Sequence, residues 1–67
     1  MVKIGKYKHF KGPEYNVIGL ARHSETLEDF VVYTDSAGKL WVRPAKMFTE
    51  EVEVNGQMVP RFKYIGK

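Results

Sequence analysis

Hydrophobic and polar positions alternate along most of this chain in short runs that end at turn residues, a pattern typical of β-strands. Tyr7–Phe10 is the first such run, and it ends at Gly12-Pro13. Glu14–Arg22 is the longest. Both of its faces carry apolar side chains and Gly19 lies in its middle, which predicts a bend or bulge where the strand changes its inward face.

The middle of the chain predicts a tight hairpin. Phe30–Thr34 is β-branched and aromatic throughout, and Asp35–Gly38 has the residues of a tight turn. Leu40–Arg43 then returns as the partner strand. Pro44 ends that strand and suits the start of one helical turn over Ala45–Phe48.

A second hairpin is predicted near the C-terminus. Valine and glutamate alternate over residues 51–54, and Asn55-Gly56 follows as a strong hairpin turn signal. The returning strand runs from Gln57 to Ile65, with Pro60 marking an edge or a bulge. The stretch His23–Asp29 stays ambiguous between one helical turn, for which Thr26 would serve as a cap, and a polar loop.

Five to six short strands, one helical turn and a C-terminal hairpin predict an all-β fold, a small SH3-like barrel. An OB-like barrel is the alternative, although it usually needs more chain. With 67 residues, the sequence is expected to form a single domain over 1–67.

Amino-acid composition limits the kinds of functional site that this chain can form. Hydrophobic residues at 43% and charged residues at 28% are typical of a globular protein, and there is no cysteine. The sequence therefore excludes a disulfide framework, a thiolate zinc site and a cysteine nucleophile. No apolar run is long enough to span a membrane and no signal peptide is recognisable, so we expect no membrane association, and the lack of cysteine is compatible with a reducing cytosol.

Charge is unevenly distributed along the chain, whose net charge is +3. Residues 1–24 carry five lysines and arginines against one glutamate, residues 25–58 are net acidic, and residues 59–67 carry three cations and no acid. If the two ends meet in space, one basic face results, suited to phosphate or nucleic acid. The alternative is a solvated surface whose asymmetry has no function.

Catalytic and metal-binding patterns are weak. The two histidines, His9 and His23, lack the spacing of a metal site, and no cofactor motif is present. His23-Ser24-Glu25 resembles a compressed hydrolase triad. In an extended chain, however, Ser24 points away from both neighbours, so only a His23–Glu25 pair remains for proton transfer.

Trp41, the single tryptophan, is either a core anchor or an exposed stacking platform. An arginine is rarely buried without a partner, so Arg43 is expected on the wetter face, and residues 41 and 43 share a face in a regular strand. This predicts a partly exposed Trp41 with Leu40 and Val42 in the core. Leu40→Ala should then cost about 2–5 kcal/mol of stability.

Four blocks in order resemble a small bacterial family, domain-of-unknown-function family 1653: His9–Gly12, Ala21–Thr26, Leu40–Pro44 with Met47-Phe48, and Pro60–Phe62. The resemblance extends from about Tyr7 to Ile65. It implies a bacterial, cytoplasmic protein with a compact fold, and it supplies no catalytic residues.

The leading interpretation is a non-catalytic binding module with nucleic acid as the first partner to test. Alternatives are a small enzyme or enzyme subunit that uses His23 and Glu25, and a module that binds a protein or peptide. A homodimer is compatible with the sequence, and neither metal nor cofactor is expected. The candidate ligand-binding residues are Lys11, Arg22, His23, Glu25, Trp41, Arg43 and Arg61.

Overall fold

The computed structural model describes residues 2–67, which form seven strands and one short helix. In chain order these are β1 (Gly5–His9), β2 (Glu14–Arg22), β3 (Asp29–Thr34), β4 (Leu40–Pro44), α1 (Ala45–Phe48), β5 (Glu51–Val54), β6 (Gln57–Pro60) and β7 (Phe62–Gly66). No helix in residues 2–67 is long and apolar enough to cross a membrane.

Five strands form one antiparallel sheet in the order β4-β3-β2-β1-β7, and β5 and β6 form a separate hairpin. The all-β class is confirmed. The SH3-like barrel is not confirmed, because neither sheet of the described chain closes on itself and β4 and β7 remain edge strands.

The five-stranded sheet curls around an aromatic core. Its six buried hydrophobic residues are Tyr7, Val17, Val31, Tyr33, Phe48 and Phe62. The rings of Tyr33 and Phe62 lie 6.0 Å apart although β2 and β1 separate their strands. Flat strands at this separation would stand roughly 14 Å apart, so the sheet is strongly curled. Phe48 from α1 fills the hollow and stacks on Phe62 at 4.2 Å.

A bulge in β2 changes the inward face of that strand. The register against β3 shifts between Val17 and Gly19, which leaves Ile18 as the extra residue. Val17 faces the core before the shift, and after it Leu20 lies opposite the buried Val31. The bulge predicted around Gly19 is therefore present, and it lets one long strand follow the curl.

The predicted faces of β4 are wrong. Trp41 lies opposite the buried Tyr33 and Arg43 opposite the buried Val31, so these two residues share the core side of the sheet. Leu40 and Val42 point to the outer face and are 62% and 61% exposed. The reason is that the guanidinium of Arg43 lies 5.7 Å from the ring centre of Phe62 and finds an aromatic neighbour inside the curl.

The partial exposure predicted for Trp41 is correct, because its side chain is 44% exposed. It sits on the core side of the edge strand, beyond the reach of the packed aromatic cluster. In this edge strand, the exposed fraction of a side chain therefore does not show which face of the sheet it lies on. The pairing register of β4 with β3 does show it.

The β5–β6 hairpin turns at Asn55 and Gly56, whose φ angles are +51° and +81°, as expected for an Asn-Gly turn. Pro60 ends β6, and after Arg61 the chain crosses to the main sheet as β7. The returning strand predicted from Gln57 to Ile65 is thus two strands in different sheets. The hairpin makes few contacts with the main sheet.

Candidate functional site

A basic cluster forms where β1 ends and β7 begins, and we define it as His9, Lys11, Arg43 and Arg61. Backbone hydrogen bonds hold this region together. The N–H of Phe10 donates to the carbonyl of Arg61 at 3.0 Å, and the N–H of Arg61 donates to the carbonyl of Glu50 at 2.9 Å. The loop after β1, the start of β7 and the segment after α1 therefore meet at one point.

His9 is the centre of the basic cluster. Its ring packs against Phe62 at 5.0 Å and against Phe10 at 4.5 Å, and its Nδ1 accepts the backbone N–H of Lys11 at 3.1 Å. Burial lowers the pKa of His9, and the positive charges of Arg61, Lys11 and Arg43 lower it further. These surroundings accordingly favour the neutral imidazole over its protonated form.

The two arginines of the cluster are only partly paired. Nη2 of Arg61 donates to Oε1 of Glu50 at 3.2 Å, whereas Lys11 and Arg43 form no salt bridge within residues 2–67. The Nε atoms of both arginines are buried and lack a hydrogen-bond partner in the described chain. A buried donor without an acceptor costs about 1–3 kcal/mol, so stability alone does not explain this arrangement.

An open groove of about 420 Å³ lies beside His9. Its lining residues are Lys8, His9, Phe10, Val54, Val59, Pro60 and Lys63. Lys8 and Lys63 stand directly opposite each other in the β1–β7 pairing, and like charges in that position are destabilising. The groove thus combines an apolar floor with a cationic rim.

Arg22 and His23 use their side chains at the base of the β2–β3 loop and within it, whereas Glu25 takes part only through its backbone N–H. Nε of Arg22 pairs with Asp29 at 3.2 Å. Nδ1 of His23 accepts the backbone N–H groups of Glu25 and Thr26 at 3.1 and 3.2 Å, so the bond joining His23 to Glu25 does not involve the carboxylate. The segment forms one hydrogen-bonded turn within a loop, because the N–H of Leu27 donates to the carbonyl of His23 at 2.9 Å, and Oγ1 of Thr26 accepts the N–H of Glu28.

Trp41 is fixed by the β3–β4 turn. Its indole N–H donates to Oδ2 of Asp35 at 2.8 Å, and Nζ of Lys39 lies 5.0 Å from the ring centre. That indole bond, followed by the backbone N–H of Lys39, lowers the pKa of the Asp35 carboxyl. Trp41 precedes Arg43 by two positions on the same side of β4.

The structure therefore brings together three of the candidate ligand-binding residues, Lys11, Arg43 and Arg61, with His9, which lies in the first block of the family resemblance, and with Phe62. A further signal for His9 is the run Lys8-His9-Phe10-Lys11, in which cationic and aromatic side chains interleave. No group of three potential metal ligands occurs in residues 2–67. The chemistry available at this cluster is the binding of anions through guanidinium, ammonium and aromatic groups.

Comparisons with known proteins agree with this architecture. A family model described as "Protein of unknown function (DUF1653)" matches residues 5–64. A crystal structure of a DUF1653 protein from Bordetella bronchiseptica is 36% identical, covers 97% of this chain and 88% of its own, and superposes with a TM-score of 0.88. No curated protein matches the chain.

Proposed function

Because the chain belongs to the DUF1653 family, whose description assigns no function, we propose from its own surface that it is a non-catalytic module that binds single-stranded nucleic acid. The basic cluster is the proposed phosphate-binding site. The protein is expected to act in the cytoplasm.

The excess of cations at the basic cluster carries this proposal. Lys11 and Arg43 have no carboxylate partner in the described chain, and Arg61 has Glu50 alone. Each guanidinium can donate two parallel hydrogen bonds to a phosphate, which suits this ligand better than a point charge would. A bound phosphate would also offset the positive potential of Arg61, Lys11 and Arg43, which disfavours protonation of His9.

Aromatic groups and further lysines favour nucleic acid over a small inorganic anion. The partly exposed Phe10 lines the groove next to the basic cluster, and Lys8 and Lys63 form its cationic rim. Single-stranded nucleic acid is typically held by a basic track for the backbone and by aromatic faces for the bases.

The first test is fluorescence anisotropy with labelled single-stranded RNA and DNA at low and at physiological salt. We expect binding in the micromolar range that weakens steeply as salt is added. Lys11→Gln should weaken binding and reduce the slope of log affinity against log salt by about 1. Arg43→Lys keeps the charge but loses the guanidinium geometry, so it should weaken binding with little change in that slope.

Arg22→Gln is the matched control. It removes one positive charge, as Lys11→Gln does, from an exposed arginine that pairs with Asp29. The proposal fails if no oligonucleotide binds even at low salt, or if the two glutamine variants weaken binding equally. The second result would assign the effect to net charge and not to the cluster.

The catalytic alternative has less support from the geometry. His23 uses Nδ1 to accept two backbone N–H groups of its own loop, and the Glu25 carboxylate forms no hydrogen bond to the imidazole. A general base oriented by a carboxylate requires that bond.

A further inference from the structure

Three consecutive residues of β4, Leu40, Trp41 and Val42, are all exposed. In a strand, neighbouring side chains point to opposite faces, so exposure of all three means that both faces and the edge are open here. β4 pairs with β3 on one side and is the edge of the sheet on the other. A large apolar edge of this kind promotes association.

The outer face next to this edge carries no charge. Val32 lies between Gly19 of β2 and Val42 of β4, and the bulged Ile18, which is 46% exposed, directly precedes Gly19. From Asn16 to Ala21 in β2, and along all of β3 and β4, the outward side chains are uncharged. The outer face of β1 and β7 is different, because Lys6, Lys8 and Lys63 project from it.

The hydrogen-bonding pattern of the β4 backbone also leaves N–H and C=O groups at the open edge for pairing with a further strand. The N–H of Asp35 donates to the carbonyl of Lys39, so this pair is hydrogen bonded. Hydrogen-bonded and non-bonded pairs alternate in an antiparallel ladder, so Trp41 and Arg43 also bond to β3. Leu40 and Val42 therefore direct their N–H and C=O groups to the open edge.

We propose that β4 pairs antiparallel with β4 of a second copy, about a two-fold axis that passes between the two Trp41 residues. In this register Leu40 of each copy exchanges both backbone hydrogen bonds with Val42 of the other. A register centred on Val42 would place Leu40 opposite Pro44, which has no N–H to donate. A register centred on Leu40 would run into the turn at Gly38.

This pairing buries the exposed residues together. The two indoles face each other as a non-hydrogen-bonded aromatic pair, a favourable cross-strand arrangement. On the outer face, Leu40 meets Val42 of the other copy, and the uncharged patches join. Two five-stranded sheets become one continuous ten-stranded sheet, and the interface is isologous, as two-fold symmetry requires.

Electrostatics favours a second copy over a charged partner at this edge. Each copy has a net charge of +3, so two copies repel except where their surfaces are uncharged, as along the outer face of β4. Nucleic acid or an acidic protein would be drawn to the lysine-bearing surface instead.

The size of the interface predicts a weak dimer. The apolar residues at this edge can bury roughly 400 Å² per copy, about half of the usual value for a stable complex. The same register places Arg43 opposite Lys39 of the other copy, although the guanidinium of Arg43 points to its own Phe62. Added salt should screen that repulsion and strengthen the dimer, the opposite of its effect on nucleic-acid binding.

The test is sedimentation velocity over protein concentrations from low micromolar to several hundred micromolar, in parallel with tryptophan emission. Trp41 is the single tryptophan, so its emission reports on this edge alone. We expect reversible dimerisation and a blue shift of the emission that follows the same concentration dependence. Val42→Lys should abolish both. Leu40→Lys gives the same test should Val42→Lys fail to fold.

Ile65→Lys is the matched control, because Ile65 is an exposed apolar residue on the outer face of the other edge strand, β7. It should leave dimerisation and emission unchanged. The proposal is overturned by a protein that stays monomeric throughout the range, by a Val42→Lys dimer as tight as that of Ile65→Lys, or by dimerisation without a shift in emission. Dimerisation is measured without nucleic acid, so its outcome is independent of the proposed function.

Discussion

Individual side chains in β4 show how local chemistry can mislead an assignment of faces. Arg43 was expected to mark the wet face because guanidinium groups are rarely buried alone. Here its stem runs along the core side and its charged end lies over Phe62, so the arginine occupies the edge of the core. Leu40 and Val42 therefore lie on the outer face, so their side chains contribute less to the stability of the core than the sequence predicted.

We therefore expect Leu40→Ala to lower the free energy of unfolding by less than about 1 kcal/mol, because the side chain is already mostly in water. Val17→Ala, at a fully buried position, should cost about 1–3 kcal/mol from lost burial and the cavity left behind. Urea unfolding at low protein concentration, where copies are apart, gives both values. Equal losses in the two variants would show that Leu40 packs in the core after all.

The lowered pKa of His9 couples stability to pH. Its pKa in the folded protein is below its ordinary value of 6.5, so the unfolded chain binds more protons in this range. Stability must then rise with pH across the window between the folded and unfolded pKa values, and fall on acidification through it. Protonation of Nδ1 would also remove the acceptor for the N–H of Lys11.

Urea unfolding at about pH 7.5 and about pH 5.5 should show this loss of stability in the natural sequence. His9→Gln, whose amide oxygen can still accept the N–H of Lys11, should show a smaller loss. An identical pH dependence in the two proteins would rule out His9 as its source.

At the scale of elements, two glycines with positive φ allow the main sheet and the β5–β6 hairpin to be tested separately. Gly5 lies in the main sheet and Gly56 lies in the hairpin turn. At Gly5, with φ +140°, an added Cβ would lie 2.7 Å from the carbonyl oxygen of Gly66 and 2.9 Å from Cε1 of Tyr64. Gly5→Ala should therefore destabilise the whole fold by at least about 2 kcal/mol. At Gly56, with φ +81°, an added Cβ meets no atom, so Gly56→Ala should cost about 1 kcal/mol from backbone strain alone.

Thermal unfolding and amide hydrogen exchange distinguish these two effects. Because the hairpin makes few contacts with the main sheet, Gly56→Ala should speed exchange in β5 and β6 and leave the melting of the sheet nearly unchanged. Gly5→Ala should lower the melting temperature and speed exchange in β1 and β7. A large drop in melting temperature for Gly56→Ala would mean that the hairpin supports the sheet.

Elements with a local signal were predictable from sequence, and elements decided by distant partners were not. Glycine within the long β2 run indicated the bulge, and Asn55-Gly56 indicated the hairpin turn, because both depend on backbone angles that few residues adopt. Nothing near Pro60 could show that β7 leaves the hairpin to pair with β1. That choice depends on Tyr7, which lies more than fifty positions away in the sequence.

Across the whole molecule, pairing of β1 with β7 brings the two basic ends of the chain side by side, as the charge distribution suggested. This also explains which part of the candidate site was predictable. Lys11 and Arg61 lie in these basic ends and meet through the backbone bond between Phe10 and Arg61. Arg22, His23 and Glu25 share a recognisable motif, but the side chain of Arg22 pairs with Asp29 and that of His23 accepts backbone N–H groups of its own loop.

The dependence of the core on β7 has a consequence for how the chain folds. β2, β3 and β4 are consecutive and can form as a meander through contacts close in sequence, which are reached quickly. Phe62 completes the core through long-range pairing with β1 and stacking on Phe48, and loop-closure entropy opposes that step. A folding chain in which β7 has not yet docked therefore leaves Phe48 without its stacking partner and β1 as an unpaired edge. Exposed apolar surface and an open strand edge both favour aggregation, so the docking of β7 is the step that ends this exposure.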